Sequence, residues 1–227
     1  MLADLLDFIA VRYPDLLAAA GRHLAITVAA VLLGILVAVP LGIYLAERPN
    51  RFLNGLVFGI ANLFQTIPSL ALLAVLIPLM GIGTRPAVAA LFLYSLLPIL
   101  RNTYAGFQSV DPSVTEAAKG MGCGTLQRIF MIQLPLAFPY IMAGIRLTTV
   151  YIISWATLAA LIGAGGLGQL IISGIGVNRK ELIISASLLA ILLALAADWL
   201  LGMAERRFSR RAKAKHGLSP VTPQMET

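Results

Sequence analysis

The sequence predicts an all-α integral membrane protein, with five transmembrane helices and one helical loop standing out from the cytoplasmic side. Three observations predict it. Of the 227 residues 59% are hydrophobic and only 12% charged, with a mean hydropathy of +0.90, outside the usual globular mix. Five stretches are nearly free of charge, and each is long enough to cross a hydrocarbon core of about 30 Å. The 17 Lys and Arg residues gather between those stretches and at the C-terminus.

Residues 1–19 carry Asp4, Asp7, Arg12 and Asp15 among leucines and alanines. They lack a basic leading region and a small-residue cleavage site, so they read as an amphipathic helix at the extracytoplasmic interface rather than a cleaved leader. Residues 20–203 hold the spans. Residues 204–227 form a basic cytoplasmic tail whose end has the composition of a disordered segment.

Residues 24–46 carry no charge and form the first span. Glu47, Arg48, Pro49, Asn50 and Arg51 make a charged turn. Residues 53–80 would reach about 42 Å as one straight helix, more than the core requires, so this second span must tilt, bend or break. Gln65, Pro68 and Pro78 are the break points, because a proline removes a backbone donor and clashes with the preceding turn. Residues 87–107 form the third span, with Arg85 at one mouth and Arg101 snorkelling at the other. Residues 139–162 form the fourth, interrupted by Arg146, whose charge must face protein or the cytoplasmic interface rather than lipid. Residues 182–201 form the fifth, where Asp198 beside Trp199 reads as half of an ion pair or as an interfacial site.

Between the third and fourth spans lies a polar island. Asp111 and Pro112 have the pattern of an N-cap and a first helical residue, and Ser113 with Glu116 matches a capping box. Gly120, Gly122 and Gly124 interrupt that helix and predict a sharp bend before a second amphipathic helix over about 125–134, closed by Pro135. Two short helices joined at a glycine make a knob that a groove on another protein can grip. Spacing alone leaves open an amphipathic loop lying on the membrane surface.

The motif Glu116-Ala117-Ala118, three free positions, Gly122, nine free positions, then Ile132, Leu134 and Pro135 resembles the EAA loop of ABC importer permeases. The resemblance implies the type I (MetI-like) importer permease fold over residues 20–203. It also implies that Glu116, Ala117, Ala118, Gly120, Gly122, Ile132, Leu134 and Pro135 form the loop that couples to an ATPase. Together with residues 100–106, Asp111-Pro112 and residues 161–168, it looks most like the permeases for glycine betaine, carnitine and choline. Permeases for methionine, taurine or phosphonate share several of these pieces and stay open as the alternative, as does a passive channel or scaffold. The family implies two ABC ATPase subunits, a second identical or homologous permease, an extracytoplasmic solute-binding protein and residence in the bacterial inner membrane. Gln65-Thr66-Ile67-Pro68-Ser69 is similar to a kinked segment that lines the pathway in such permeases, which makes Gln65, Pro68 and Ser69 pathway candidates; a kink without substrate contact is the other reading. Gly163, Gly165, Gly166 and Gly168 resemble the break after the fourth span, a gate candidate, with a plain turn as the alternative. Gly163, Gly165 and Gly168 also satisfy G-x-G-x-x-G, but a membrane helix precedes them where a dinucleotide site needs a strand.

Several functions are disfavoured. No Walker A pattern is present, so ATP hydrolysis is expected on a separate chain. Cys123 is the sole cysteine, and His23 and His216 lack ligand spacing, so neither a disulfide, a metal nor another cofactor is expected. An intramembrane enzyme would need paired carboxylates or a nucleophile with its base. With five spans, Arg48, Arg51, Arg101, Lys119, Arg128, Arg206, Arg207, Arg210, Arg211, Lys213 and Lys215 fall on one side. Arg12, Arg22, Arg85, Arg179 and Lys180 fall on the other. The richer side is cytoplasmic by the positive-inside rule, so the island and the C-terminus face inward and the N-terminus outward. The same distribution assigns the positive charge to the lipid surface and predicts no nucleic-acid partner.

Overall fold

The computed structural model describes residues 2–48 and 50–216, and among them every regular element is helical. The N-terminal segment does not form a helix of its own. α1 runs unbroken over Leu2–Glu47, through Pro14, Gly21 and Pro40. At 1.5 Å per residue its 46 residues measure about 69 Å, so residues 2–21 extend the first span well past a bilayer core.

The long second run does break, at Pro68. α2 covers Arg51–Thr66 and α3 covers Ser69–Met80, bent by 99° at Ile67 and Pro68. Pro78 stays inside α3 without breaking it, one turn from a helix end that Gly81 terminates. The bend is tied down by Tyr94 on α4 (Thr84–Gln108). Its Oη donates to the Ile67 carbonyl at 2.7 Å, and Gln65 Nε2 donates to the Tyr94 carbonyl at 3.0 Å. The carbonyl orphaned by the break is thereby satisfied inside the protein, a condition that membrane depth imposes.

α4 leads to α5 (Pro112–Gly120) and α6 (Thr125–Arg128), then a π-helical segment at Ile129–Gln133 that flows into α7 (Leu134–Ala156). Pro135 therefore does not close the second loop helix, contrary to what its position in the sequence predicts. The π turn lets Leu134 N–H reach the Ile129 carbonyl, so the ladder passes the proline and continues. The fourth long helix consequently runs over Thr125–Ala156, starting earlier than residue 139 and ending before 162. A 3₁₀ turn at Leu158–Ile162, α8 (Leu167–Gly176) and α9 (Lys180–His216) complete the chain. Among the described residues four helices are long and apolar enough to cross a membrane, and the bent α2–α3 pair makes five if it counts as one span. α9 carries the helix through the first part of the basic tail, while residues 217–227 lie outside the described residues.

α4 sits at the centre, packed on α1, α2, α3 and α7. Lipid removes most of the hydrophobic drive between helices, so small residues that permit close approach must supply dispersion contact. Gly34 and Gly42 do so where α1 crosses α4: a Cβ at Gly34 would lie 2.1 Å from Ser95 Oγ, and one at Gly42 would lie 2.9 Å from Thr103. Leu188, Ile191, Leu192, Leu195 and Trp199 leave one side of α9 exposed and apolar, as a lipid-facing surface requires.

Candidate functional site

Asp111 starts the loop. Its carboxylate accepts the Ser113 N–H at 2.8 Å, with Pro112 in the first turn where no N–H is missed. Hydrogen bonding from Ser113, side chain first and then backbone, holds the Asp111 carboxyl below the usual carboxylate range. The cap is charged at neutral pH, and its contribution fades only as pH falls through that lowered value. Ser113 thus donates to the cap: the N-cap is Asp111, as its pairing with Pro112 predicts, and not Ser113 two positions later, where the Ser113 and Glu116 capping-box pattern would put it.

α5 ends in a Schellman motif. Cys123 N–H bonds to the Ala118 carbonyl and Gly122 N–H to the Lys119 carbonyl, each at 3.0 Å, with Gly122 at φ +79°. That left-handed backbone is what the family glycine supplies. Nothing lies within 4 Å of where its Cβ would stand, so conformation and not crowding sets the requirement. Gly120 has no such φ and also faces open space. α6 then starts with Gly124 N–H donating to Gln127 Oε1 at 3.0 Å.

The result is a bent pair of short helices that touch each other, with α6 running directly into the π segment. Ala118 is buried at 1%, while Glu116, Ala117 and Gly120 are exposed. Met121, Leu126, Phe130 and Met131 are also exposed, at 60–75%. An apolar patch of this kind on a polar loop marks a protein or membrane contact. Ile132, in the π segment that also carries Phe130 and Met131, and Leu134 and Pro135 at the start of α7 are half-buried.

One anchor of the loop escaped sequence reasoning. Glu47, the last residue of α1, reaches across to accept Arg128 Nη2 at 2.6 Å on Oε2 and Gln133 Nε2 at 2.6 Å on Oε1. All three side chains are largely buried. A faint signal existed: an acid at a helix C-terminus opposes the macrodipole and calls for a cationic partner, but nothing in the sequence names Arg128 as that partner.

The pathway and gate candidates fall in two places. Gln65 is engaged with the Tyr94 carbonyl, and Pro68 and Ser69 sit at the bend, Pro68 exposed and Ser69 half-buried. The glycine loop packs on α1. Gly166 lies against His23, which is wholly buried and donates from Nε2 to the Ile153 carbonyl at 2.9 Å, and Gly165 lies against Arg22. Gly163, Gly165 and Gly166 have φ of +77° to +81°, while Gly168 abuts the Thr157 backbone. Arg146 pairs with Asp198 in two hydrogen bonds of 2.6 and 2.7 Å, with Glu205 at 3.7 Å, so it faces α9 as expected.

Residues 38–210 match the family described as binding-protein-dependent transport system inner membrane component. The chain is 45% identical over 205 residues to the choline transport system permease protein OpuBB of Bacillus subtilis (strain 168), covering 90% of this chain and 94% of that one. It is 44% identical over 219 residues to the glycine betaine/carnitine/choline transport system permease protein OpuCB of the same organism, covering 96% and 99%. The osmoprotectant import permease protein OsmW of Salmonella typhimurium is 43% identical over 185 residues, 79% of this chain and 85% of that one. Among solved structures, an inward-facing MetNI methionine ABC transporter aligns with a TM-score of 0.73 at 27% identity, covering 87% of this chain and 96% of that one. With the fold, the bent loop and the identity all pointing one way, this multi-pass membrane chain belongs to the binding-protein-dependent transport system inner membrane components, the permease subunits of ABC importers.

Proposed function

We propose that this permease carries quaternary-amine osmoprotectants, the class of glycine betaine, carnitine and choline, across the inner membrane in an ATP-driven importer. The observation that carries the substrate class is the 44% identity to a glycine betaine/carnitine/choline permease along 96% of this chain. In this reading two ATPase subunits hydrolyse the nucleotide on separate chains, and each grips one bent loop of a permease pair. Glu116, Ala117, Ala118, Gly120 and Gly122 form the gripped knob, and Ile132, Leu134 and Pro135 tie it to α7. The second permease is an identical or homologous chain, since one set of five spans has too few helices to enclose a gated path. A solute-binding protein delivers substrate to the outer face, where the N-terminus lies; the loop and the C-terminus lie in the cytoplasm, as the charge distribution supports. Closure of the ATPases rocks the pair between inward- and outward-open states. Gln65, Pro68 and Ser69 line the path, and the loop of Gly163, Gly165, Gly166 and Gly168 serves as its outer gate. The irregular backbone at both places supports this, being tolerated at membrane depth where it is enclosed by protein or lines a cavity.

A permease for another small solute is the second reading, favoured by the likeness to the methionine transporter. Uptake of radiolabelled glycine betaine, carnitine, choline and methionine by cells carrying only this system separates the two. Accumulation of a quaternary amine is the expected result. Accumulation of methionine alone overturns the substrate class and leaves the importer reading intact.

A further inference from the structure

We propose that Glu47 is the positioning residue that sets the π register between the loop and α7, and through which movement of the loop reaches α1. The inference rests on reading the α5–α6 knob as the ATPase-facing loop. One carboxylate binds both ends of the π segment: Oε2 takes Arg128, the residue just before it, and Oε1 takes Gln133, its last residue. In an α-helix at 100° per residue, positions five apart point roughly 140° away from each other, which would set the two donors on different faces. In a π turn, bonded from each residue to the fifth beyond, such positions stack on one side. The π register therefore brings both donors to the side where one carboxylate holds them.

The location gives the contact mechanical meaning. Glu47 ends α1, the 46-residue helix that packs on α4, α7, α8 and α9 and carries His23 beneath the glycine loop. Arg128 ends α6, inside the knob. A charged side chain at 12% exposure paired with a carboxylate at 16% is held by geometry, since each would be costly to leave there alone. A pull on α6 is thus passed to α1 through Glu47 as well as to α7 through the backbone, and the two helices move together.

The test uses the assembled complex of permease, ATPase subunit and binding protein in liposomes, with wild type, E47A, E47Q and the swap E47R/R128E. In the swap, Gln133 can turn its amide so that Oε1, unpartnered in the wild-type geometry, accepts from the new arginine. E47A and E47Q are expected to assemble and hydrolyse ATP, while uptake per ATP hydrolysed falls by at least about fivefold, the lower end of a typical coupling contact. The swap is expected to recover most of the loss. An unchanged ratio in E47A, or a swap no better than E47A, overturns the proposal. A second measurement needs no ATPase: spin labels at Y44C and L126C, on a C123S background, report the distance between α1 and α6 in purified permease. One narrow distribution in wild type that broadens in E47A supports the linkage, and an unchanged distribution overturns it. If the wild-type chain captures no ATPase subunit, the importer reading fails while the spin-label result still decides the role of Glu47.

Discussion

Gly122 offers the sharpest perturbation, because its two possible requirements separate cleanly. Its φ of +79° places it in the left-handed region, and the absence of any atom within 4 Å of a built Cβ means that a side chain meets no obstacle. G122A should therefore cost only the left-handed penalty, about 1–2 kcal/mol, which reduces the properly bent population by roughly 5- to 30-fold if nothing else holds the loop. G122N should cost less, since asparagine visits this region with local hydrogen bonding, and G122V should cost most, since a branched Cβ tolerates it least. The assay is ATP-driven uptake per assembled complex, with membrane insertion checked separately. The order wild type, Asn, Ala, Val is expected, with insertion unchanged throughout. Valine at wild-type rates, or asparagine worse than alanine, would refute the claim that the Schellman bend is what the ATPase side requires.

Three further outcomes follow from the packing. G168A should be severe: its Cβ would stand 2.0 Å from the Thr157 carbonyl oxygen, a backbone atom with little room to yield, so about 3 kcal/mol or more should be lost and the purified permease should melt at a clearly lower temperature. D198A should leave Arg146 without its bidentate partner and lower thermal stability in detergent, and R146D/D198R should restore part of it; equal stability for wild type and D198A would show the pair to be incidental. Cys123, half-buried in the turn after α5, should react with a membrane-impermeant maleimide in inside-out vesicles and stay unmodified in intact cells. Labelling from outside would reverse the proposed orientation.

What the sequence made legible was whatever depends on local chemistry. Hydropathy located the long helices because lipid demands about 20 apolar residues per crossing, and the Asp111-Pro112 start and the Gly122 bend followed from capping and left-handed backbone. Pro68 was legible as a break point, yet its equivalence with Pro78 was not resolved, because only Pro68 has Tyr94 waiting to satisfy the freed carbonyl. Pro135 misled for a related reason. A proline read alone ends a helix, but a π turn immediately before it absorbs the missing donor, and that turn is bracketed by contacts to Glu47, more than eighty positions away. The partnership of Arg146 with Asp198 was half legible: the cost of charge at membrane depth implied partners, and only the packing of α7 on α9 identified them.

Photocrosslinking from Leu126 tests the central claim most directly. This side chain is 70% exposed on α6, at the tip of the bent pair, and a benzoylphenylalanine in its place leaves the Schellman turn and the Glu47 contacts untouched. In the intact complex, irradiation should give a covalent adduct with the ATPase subunit. An adduct with lipid alone, in a complex that still transports, would contradict the account.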